Sequence, residues 1–141
     1  MRFNCIGVFA ALALATQLAA AQERAPLKGV TSVRVANYGA PSVLLKAHEQ
    51  VSEIVGEFSA LRKKPWRKSD TRLSCYSTVT LMSGEKMVAL FRVRPEVIVE
   101  RPVEKGRPQE KGQPYSIAID EADILSLSRV LAEIPPAKNC N

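Results

Sequence analysis

The chain has 141 residues, and its 20 lysines and arginines outnumber 14 acids for a formal net charge of +6. That length suits one domain, large enough to hold an apolar core without a metal. No glycine-rich phosphate loop is present, and His48 with the two cysteines that lie beyond the first 21 residues, Cys75 and Cys140, is a poor set for structural zinc, which usually takes four ligands.

Residues 1–21 have the order of a secretory signal peptide: Arg2, an apolar run over Ile6–Leu14, then small residues at Ala19 and Ala21. The apolar run is shorter than the roughly 20 residues that span a bilayer. Cys5 precedes it, so it is not placed as a lipoprotein cysteine. Cleavage after Ala21 would leave 22–29 as a flexible leader and 30–141 as a single domain. It would also leave two cysteines, Cys75 and Cys140, for which an oxidising compartment predicts a disulfide. No later segment is long and apolar enough to cross a membrane. The chain is therefore expected to be exported, periplasmic or secreted. In that setting a basic surface points to an anionic envelope component or an acidic protein, not to nucleic acid.

Thr31–Asn37 alternates and predicts a strand with Val33 and Val35 on one side. Asn37–Pro41 is turn chemistry. Ser42–Lys64 predicts a helix, because Leu44, Ala47, Val51, Ile54, Phe58 and Leu61 recur at steps of three and four. Glu49, Glu53 and Glu57 fall on its other side. Pro65 stops it after a cationic end.

Leu73–Arg94 predicts a β-hairpin with Leu73, Cys75, Val79, Leu81, Met87, Ala89, Phe91 and Val93 on one face. A three-residue turn at Ser83–Glu85 would pair Leu81 with Met87 and Cys75 with Val93. A Ser83-Gly84 turn would mix the faces, and a one-residue slip inverts a strand, so the first register is favoured. The second strand is expected to run on to about Glu100, with an edge or bulge at Pro95.

Arg101–Pro114 repeats RPVEKG as RPQEKG and predicts an extended, solvated loop. Tyr115–Ile119 predicts a strand. Asp120 is a good N-cap for a last helix to about Ile134, with Glu121 and Asp123 in its first turn. The element order is β-α-β-β-β-α. It predicts an α+β two-layer sandwich, mainly antiparallel, with both helices on one face of the sheet. The α-β-β-β-α portion has the order of a double-stranded-RNA-binding domain, but an acidic start to the last helix and export both argue against RNA.

No catalytic residue, metal or cofactor is predicted. His48 has no nucleophile and carboxylate placed around it. Ser83-Gly84-Glu85-Lys86 has a Ser-x-x-Lys spacing, but it lies in a hairpin turn and not at the start of a helix. Asp120, Glu121 and Asp123 are explained by capping better than by a cation.

Two surfaces remain. One is the basic run Arg62, Lys63, Lys64, Arg67, Lys68 and Arg72 around Trp66. It reads either as a site for an anionic surface or as a solvated helix end with Trp66 folded onto the core. The other is the even-numbered face of the hairpin: Tyr76, Thr78, Thr80 and Met82, with Val88, Leu90, Arg92 and Arg94 opposite. If the helices take the odd face, this face is an apolar patch rimmed by arginine and threonine, and such patches mark partner or homodimer contacts. The expected function is a non-enzymatic binding module. A small envelope hydrolase, or an accessory subunit of an envelope enzyme, is the alternative.

Overall fold

Alternation in β1 (Ser32–Ala36) buries Val33 and Val35 and leaves Arg34 exposed. The same logic builds the rest of the sheet. A computed structural model describes residues 26–140. The expected signal peptide, and residues 22–25 of the expected leader, lie outside the described residues. After β1 come β2 (Val43–Leu45), α1 (His48–Arg62), β3 (Arg67–Lys68), β4 (Ser77–Ser83), β5 (Lys86–Arg94) and β6 (Val97–Arg101). Then follow β7 (Val103–Glu104), β8 (Arg107–Pro108), β9 (Tyr115–Ala118), a 3₁₀ turn at Glu121–Ile124 and α2 (Leu125–Glu133). Seven strands form one antiparallel sheet in the order β2-β1-β4-β5-β6-β9-β3. The fold is α+β, as the patterning predicts.

The core lies on the odd-numbered side of β4 and β5. Val79, Leu81, Ala89, Phe91 and Val93 share one cluster with Val33, Val35, Ile98 and Ile117 from neighbouring strands. Val51, Ile54, Phe58 and Leu61 of α1 and Leu127 and Val130 of α2 complete that cluster. Phe58 stacks on Phe91 with ring centroids 4.2 Å apart, and neither ring is exposed. Such a pair adds about 0.5–1.5 kcal/mol beyond its area burial.

Four expectations need correction. First, helix α1 begins at His48, not at Ser42. Val43 and Leu45 pair with Val35 and Val33 instead, which buries Leu45 and turns Leu44 outward. Three apolar residues in a row fit either period, and pairing with β1 decides.

Second, the hairpin turn is the two-residue Gly84-Glu85, with Ser83 opposite Lys86. Gly84 has φ +59°, the conformation that the first position of a type II′ turn requires. That turn alone would set odd residues against even ones. A bulge corrects it: Met82 faces Met87, but Leu81 faces Ala89, so Val88 is the extra residue. The predicted core face stands for Val79, Leu81, Ala89, Phe91 and Val93, while Leu81 pairs two residues further along than expected. Beyond the bulge the faces exchange, so Met87 stands opposite Met82 outside the core cluster and Val88 packs against that cluster. Cys75 precedes the strand, and Ser77 takes the place opposite Val93.

Third, Pro95-Glu96 is a tight turn between β5 and β6, with Arg94 opposite Val97. Proline's fixed φ suits a turn better than the run-on strand that was expected.

Fourth, the hexapeptide repeat is not simply extended. In its first copy Lys105 and Gly106 both take positive φ, +51° and +75°, and close the β7–β8 hairpin. Two such angles make a type I′ turn. The second copy folds back on the first, with the Gln109 N–H donating to the Pro102 carbonyl at 2.8 Å. Gly112 is needed there, since a Cβ would lie 2.3 Å from the Pro102 ring.

α2 is only nine residues long, and side chains from elsewhere hold both its ends. The Glu57 carboxylate, on α1, accepts from the N–H groups of Ser126 and Leu127, each at 2.9 Å. Glu57 was expected on the side of the helix away from the apolar stripe. It instead takes the place of a local cap at the positive end of the helix dipole. At the other end the Asn37 amide donates to the carbonyls of Leu131 (2.9 Å) and Pro135 (3.0 Å). Ser77 Oγ donates to Asn37 Oδ1 at 2.7 Å, so β1, β4 and α2 meet at one residue. The tail then docks on the β1–β2 turn, where Lys138 N–H donates to the Tyr38 carbonyl at 2.8 Å. It ends at the predicted disulfide, Cys75–Cys140, with Cα atoms 5.6 Å apart.

Two predictions follow from these ties. Glu57→Ala should lower the stability of the chain by about 1–2 kcal/mol in urea unfolding at constant m, and Glu57→Gln, which keeps one acceptor, should lose less. Cys140→Ser opens a crosslink between residues 65 apart in sequence, which should cost about 4 kcal/mol by the same measurement.

Candidate functional site

Because directly opposed residues share a face, the register lays out the outer side of the sheet in rows. One row runs Leu44, Arg34, Thr80, Leu90 and Arg101 across β2, β1, β4, β5 and β6. The next runs Ala36, Thr78, Arg92, Val99, Ser116 and Arg67 across β1, β4, β5, β6, β9 and β3. Arg94 begins a third with Val97 and Ala118. Adjacent strands are about 4.8 Å apart, so the arginines form a spaced array. Five arginines point outward and no outward position in these rows is acidic. Among the described residues, no ion pair involves Arg34, Arg67, Arg92 or Arg101.

This face differs from the apolar patch that the sequence predicts. Val88, displaced by the bulge, packs against the core cluster. Leu90 is half-buried. Thr80 and Val99, between the arginines, are 6% and 2% exposed. Tyr76 carries the Arg92 guanidinium 4.6 Å from its ring centre and meets Tyr38 edge-on at 5.7 Å. A cation over an aromatic ring is held in place without losing its charge. Arg94 is less available. Its Nε donates to Glu96 at 2.9 Å and its Nη1 to the Ser74 carbonyl at 2.6 Å.

The basic run does not converge on one site. Arg62 turns inward and pairs with Glu100 of β6, and both side chains are largely buried. Lys64 pairs with Asp123 at 3.1 Å. Trp66 donates its indole N–H to the Leu61 carbonyl at 2.9 Å, closing the end of α1, and lies 6.3 Å from Phe91. It is folded onto the core, the second of the two readings above. Lys63, Lys68 and Arg72 are exposed, and Lys68 stands opposite Tyr115. Only Arg67, opposite Ser116, joins the outer face.

His48 opens α1 as an exposed residue and does not border the core. Ser83 ends β4. Among the described residues no three His, Cys, Asp or Glu side chains are grouped to hold a metal ion, and no helix is long and apolar enough to cross a membrane. Asp123 accepts from the Asp120 N–H at 2.8 Å, as a capping role requires.

Arg34 and Arg101 were missed in the sequence. Arg34 alternates with Val33 and Val35, so strand parity alone could have found it. Arg101 was assigned to the repeat loop, and only its pairing with Leu90 places it on the sheet. Guanidinium groups are planar forks that match carboxylate and phosphate oxygens two at a time, so this array suits anionic oxygen ligands.

No protein-family model matches the chain, and no curated protein or solved structure is similar to it at a significant level.

The Asp120 N–H and the Lys64 ammonium, in that order, hold the Asp123 carboxyl below the ordinary aspartate value. A lowered folded-state value means that the carboxylate stabilises the fold above the unfolded value and loses that effect as pH falls through the folded one. Asp123→Asn should therefore lower the urea midpoint at pH 7, and the gap from the unaltered protein should close in strong acid.

Proposed function

We propose that the chain is an exported, non-enzymatic binding module whose outer sheet face takes an anionic envelope component. The observation that carries this reading is the array of outward arginines with no acid among them. Single-sign surfaces raise the local concentration of counter-charged ligands. Arginine in place of lysine favours ligands with carboxylate or phosphate groups. Export is supported by the leader-like order of residues 1–21 and by the Cys75–Cys140 disulfide, which suits an oxidising compartment.

A homodimer through this face is disfavoured. A two-fold contact is self-complementary, and here it would set arginine against arginine. A hydrolase is disfavoured by the exposed His48, which among the described residues is hydrogen-bonded to no nucleophile or orienting acid.

The test uses long-chain polyphosphate as a probe. The oxidised protein should bind it, and binding should weaken steeply from low to physiological salt. Arg92→Glu combined with Arg101→Glu should weaken binding at least tenfold, with the circular dichroism unchanged. Salt-independent binding, or full affinity in the double variant, would refute the proposal. Turnover of an envelope substrate that disappears in His48→Ala or Ser83→Ala would replace it with the hydrolase.

A further inference from the structure

Cys75 lies between two residues that each hold an arginine of the outer face. The Ser74 carbonyl accepts from Arg94 Nη1 at 2.6 Å, and the Tyr76 ring carries the Arg92 guanidinium 4.6 Å from its centre. Ser74, Cys75 and Tyr76 precede β4 and, among the described residues, pair with no strand. Cys75 also takes a positive φ, +50°, a left-handed conformation that a residue with a Cβ disfavours. The shape of this segment is therefore imposed from outside it. Its crosslink runs to Cys140, at the end of the described chain. The tail that carries Cys140 braces the same place from the other side. Lys138 N–H donates to the Tyr38 carbonyl at 2.8 Å, and a Cβ on Gly39 would lie 3.3 Å from the Lys138 carbonyl oxygen. Tyr38 in turn meets Tyr76 edge-on at 5.7 Å. Both cysteines are half-buried, residues 135–139 are exposed, and the core cluster contains neither cysteine.

A crosslink on an exposed tail, which shapes a binding surface without belonging to the core, is placed to make that surface redox-dependent. We propose that the Cys75–Cys140 disulfide is a switch on the arginine face. Oxidised, it fixes Tyr76 beneath Arg92; reduced, it releases both. This regulation acts on the anion-binding face and rests on that reading. The reductant is a dithiol. One of its thiolates attacks the disulfide and forms a mixed disulfide, and the displaced cysteine takes up a proton. The second thiolate displaces the other cysteine, so the reductant ends as a disulfide and the protein gains two electrons and two protons. Arg92 keeps its charge in both states, because an aromatic ring holds a cation without neutralising it. What reduction removes is preorganisation: a ligand must then order a free arginine side chain, which costs affinity.

The test measures long-chain polyphosphate binding by the full chain before and after dithiothreitol, a neutral dithiol that does not compete for arginine. Reduction should weaken binding about three- to tenfold, the cost of ordering one such side chain, with the circular dichroism unchanged. The Arg92 side-chain NMR signals, displaced by the Tyr76 ring current in the oxidised protein, should move to ordinary arginine positions. Tyr76→Ala, with its disulfide intact, should bind as weakly as the reduced protein and no longer respond to dithiothreitol. Tyr76→Phe keeps the ring and should retain both the affinity and the response. Unchanged affinity on reduction, or full affinity in Tyr76→Ala, would overturn the switch and leave the arginine face standing. Loss of the circular dichroism signal on reduction would also overturn it, in favour of a crosslink that only holds the fold. Arg92 signals that respond to reduction in a protein that ignores polyphosphate would keep the disulfide's hold on Arg92 and remove the arginine-face reading.

Discussion

The stack of Phe58 on Phe91 decides which way the sheet faces. One ring comes from α1 and the other from the middle of β5, with their centroids 4.2 Å apart. Once Phe91 points to the helix, period-two geometry sends Ala89 and Val93 the same way and Leu90, Arg92 and Arg94 the other way. The antiparallel register carries that choice to every neighbouring strand. Arg34, Arg101 and Arg67 come to the outer side because they stand in rows with Thr80, Leu90 and Val99, not because they are close in sequence.

The inner side consumes charge as well as apolar surface. Arg62 and Glu100 are buried as a pair, and such pairs are costly to break because the remaining partner is left charged in an apolar setting. Glu57 serves the N-terminus of α2, and Lys64 serves Asp123. A nine-residue helix is too short to stand alone in water. Its existence depends on Glu57 at one end, Asn37 at the other and its buried face between them. The disulfide acts beyond that helix and secures the tail. Arg62, Lys64 and Trp66 of the basic run thus belong to the architecture, and the surface that offers cations to a ligand takes only Arg67 from that run and the rest from other strands.

Most of the fold was legible. The α1 stripe from Val51 to Leu61 buries the residues that its spacing indicates, and the odd face of the hairpin is the core face. The hairpin register was not legible, because turn chemistry and face parity pull in different directions. Gly84 favours a two-residue turn, parity requires an extra residue, and the bulge at Val88 satisfies both. The start of α1 was illegible for a similar reason. Val43-Leu44-Leu45 fits a helical stripe or a strand, and its pairing with β1, distant from the helix that follows, settles the choice.

The sequence by itself determined the α+β class, the two-helix core, the cysteine pair and the parity of the central strands. These depend on local periodicity and composition, which a single chain displays openly. Only the tertiary structure decided which charges remain available. Charge availability depends on partners far apart in sequence: Arg62 finds Glu100, Lys64 finds Asp123, and Arg34, Arg92 and Arg101 stand in strand rows that contain no acid. The outer sheet face is therefore an arginine array, where the sequence alone suggested an apolar patch with a basic run beside it.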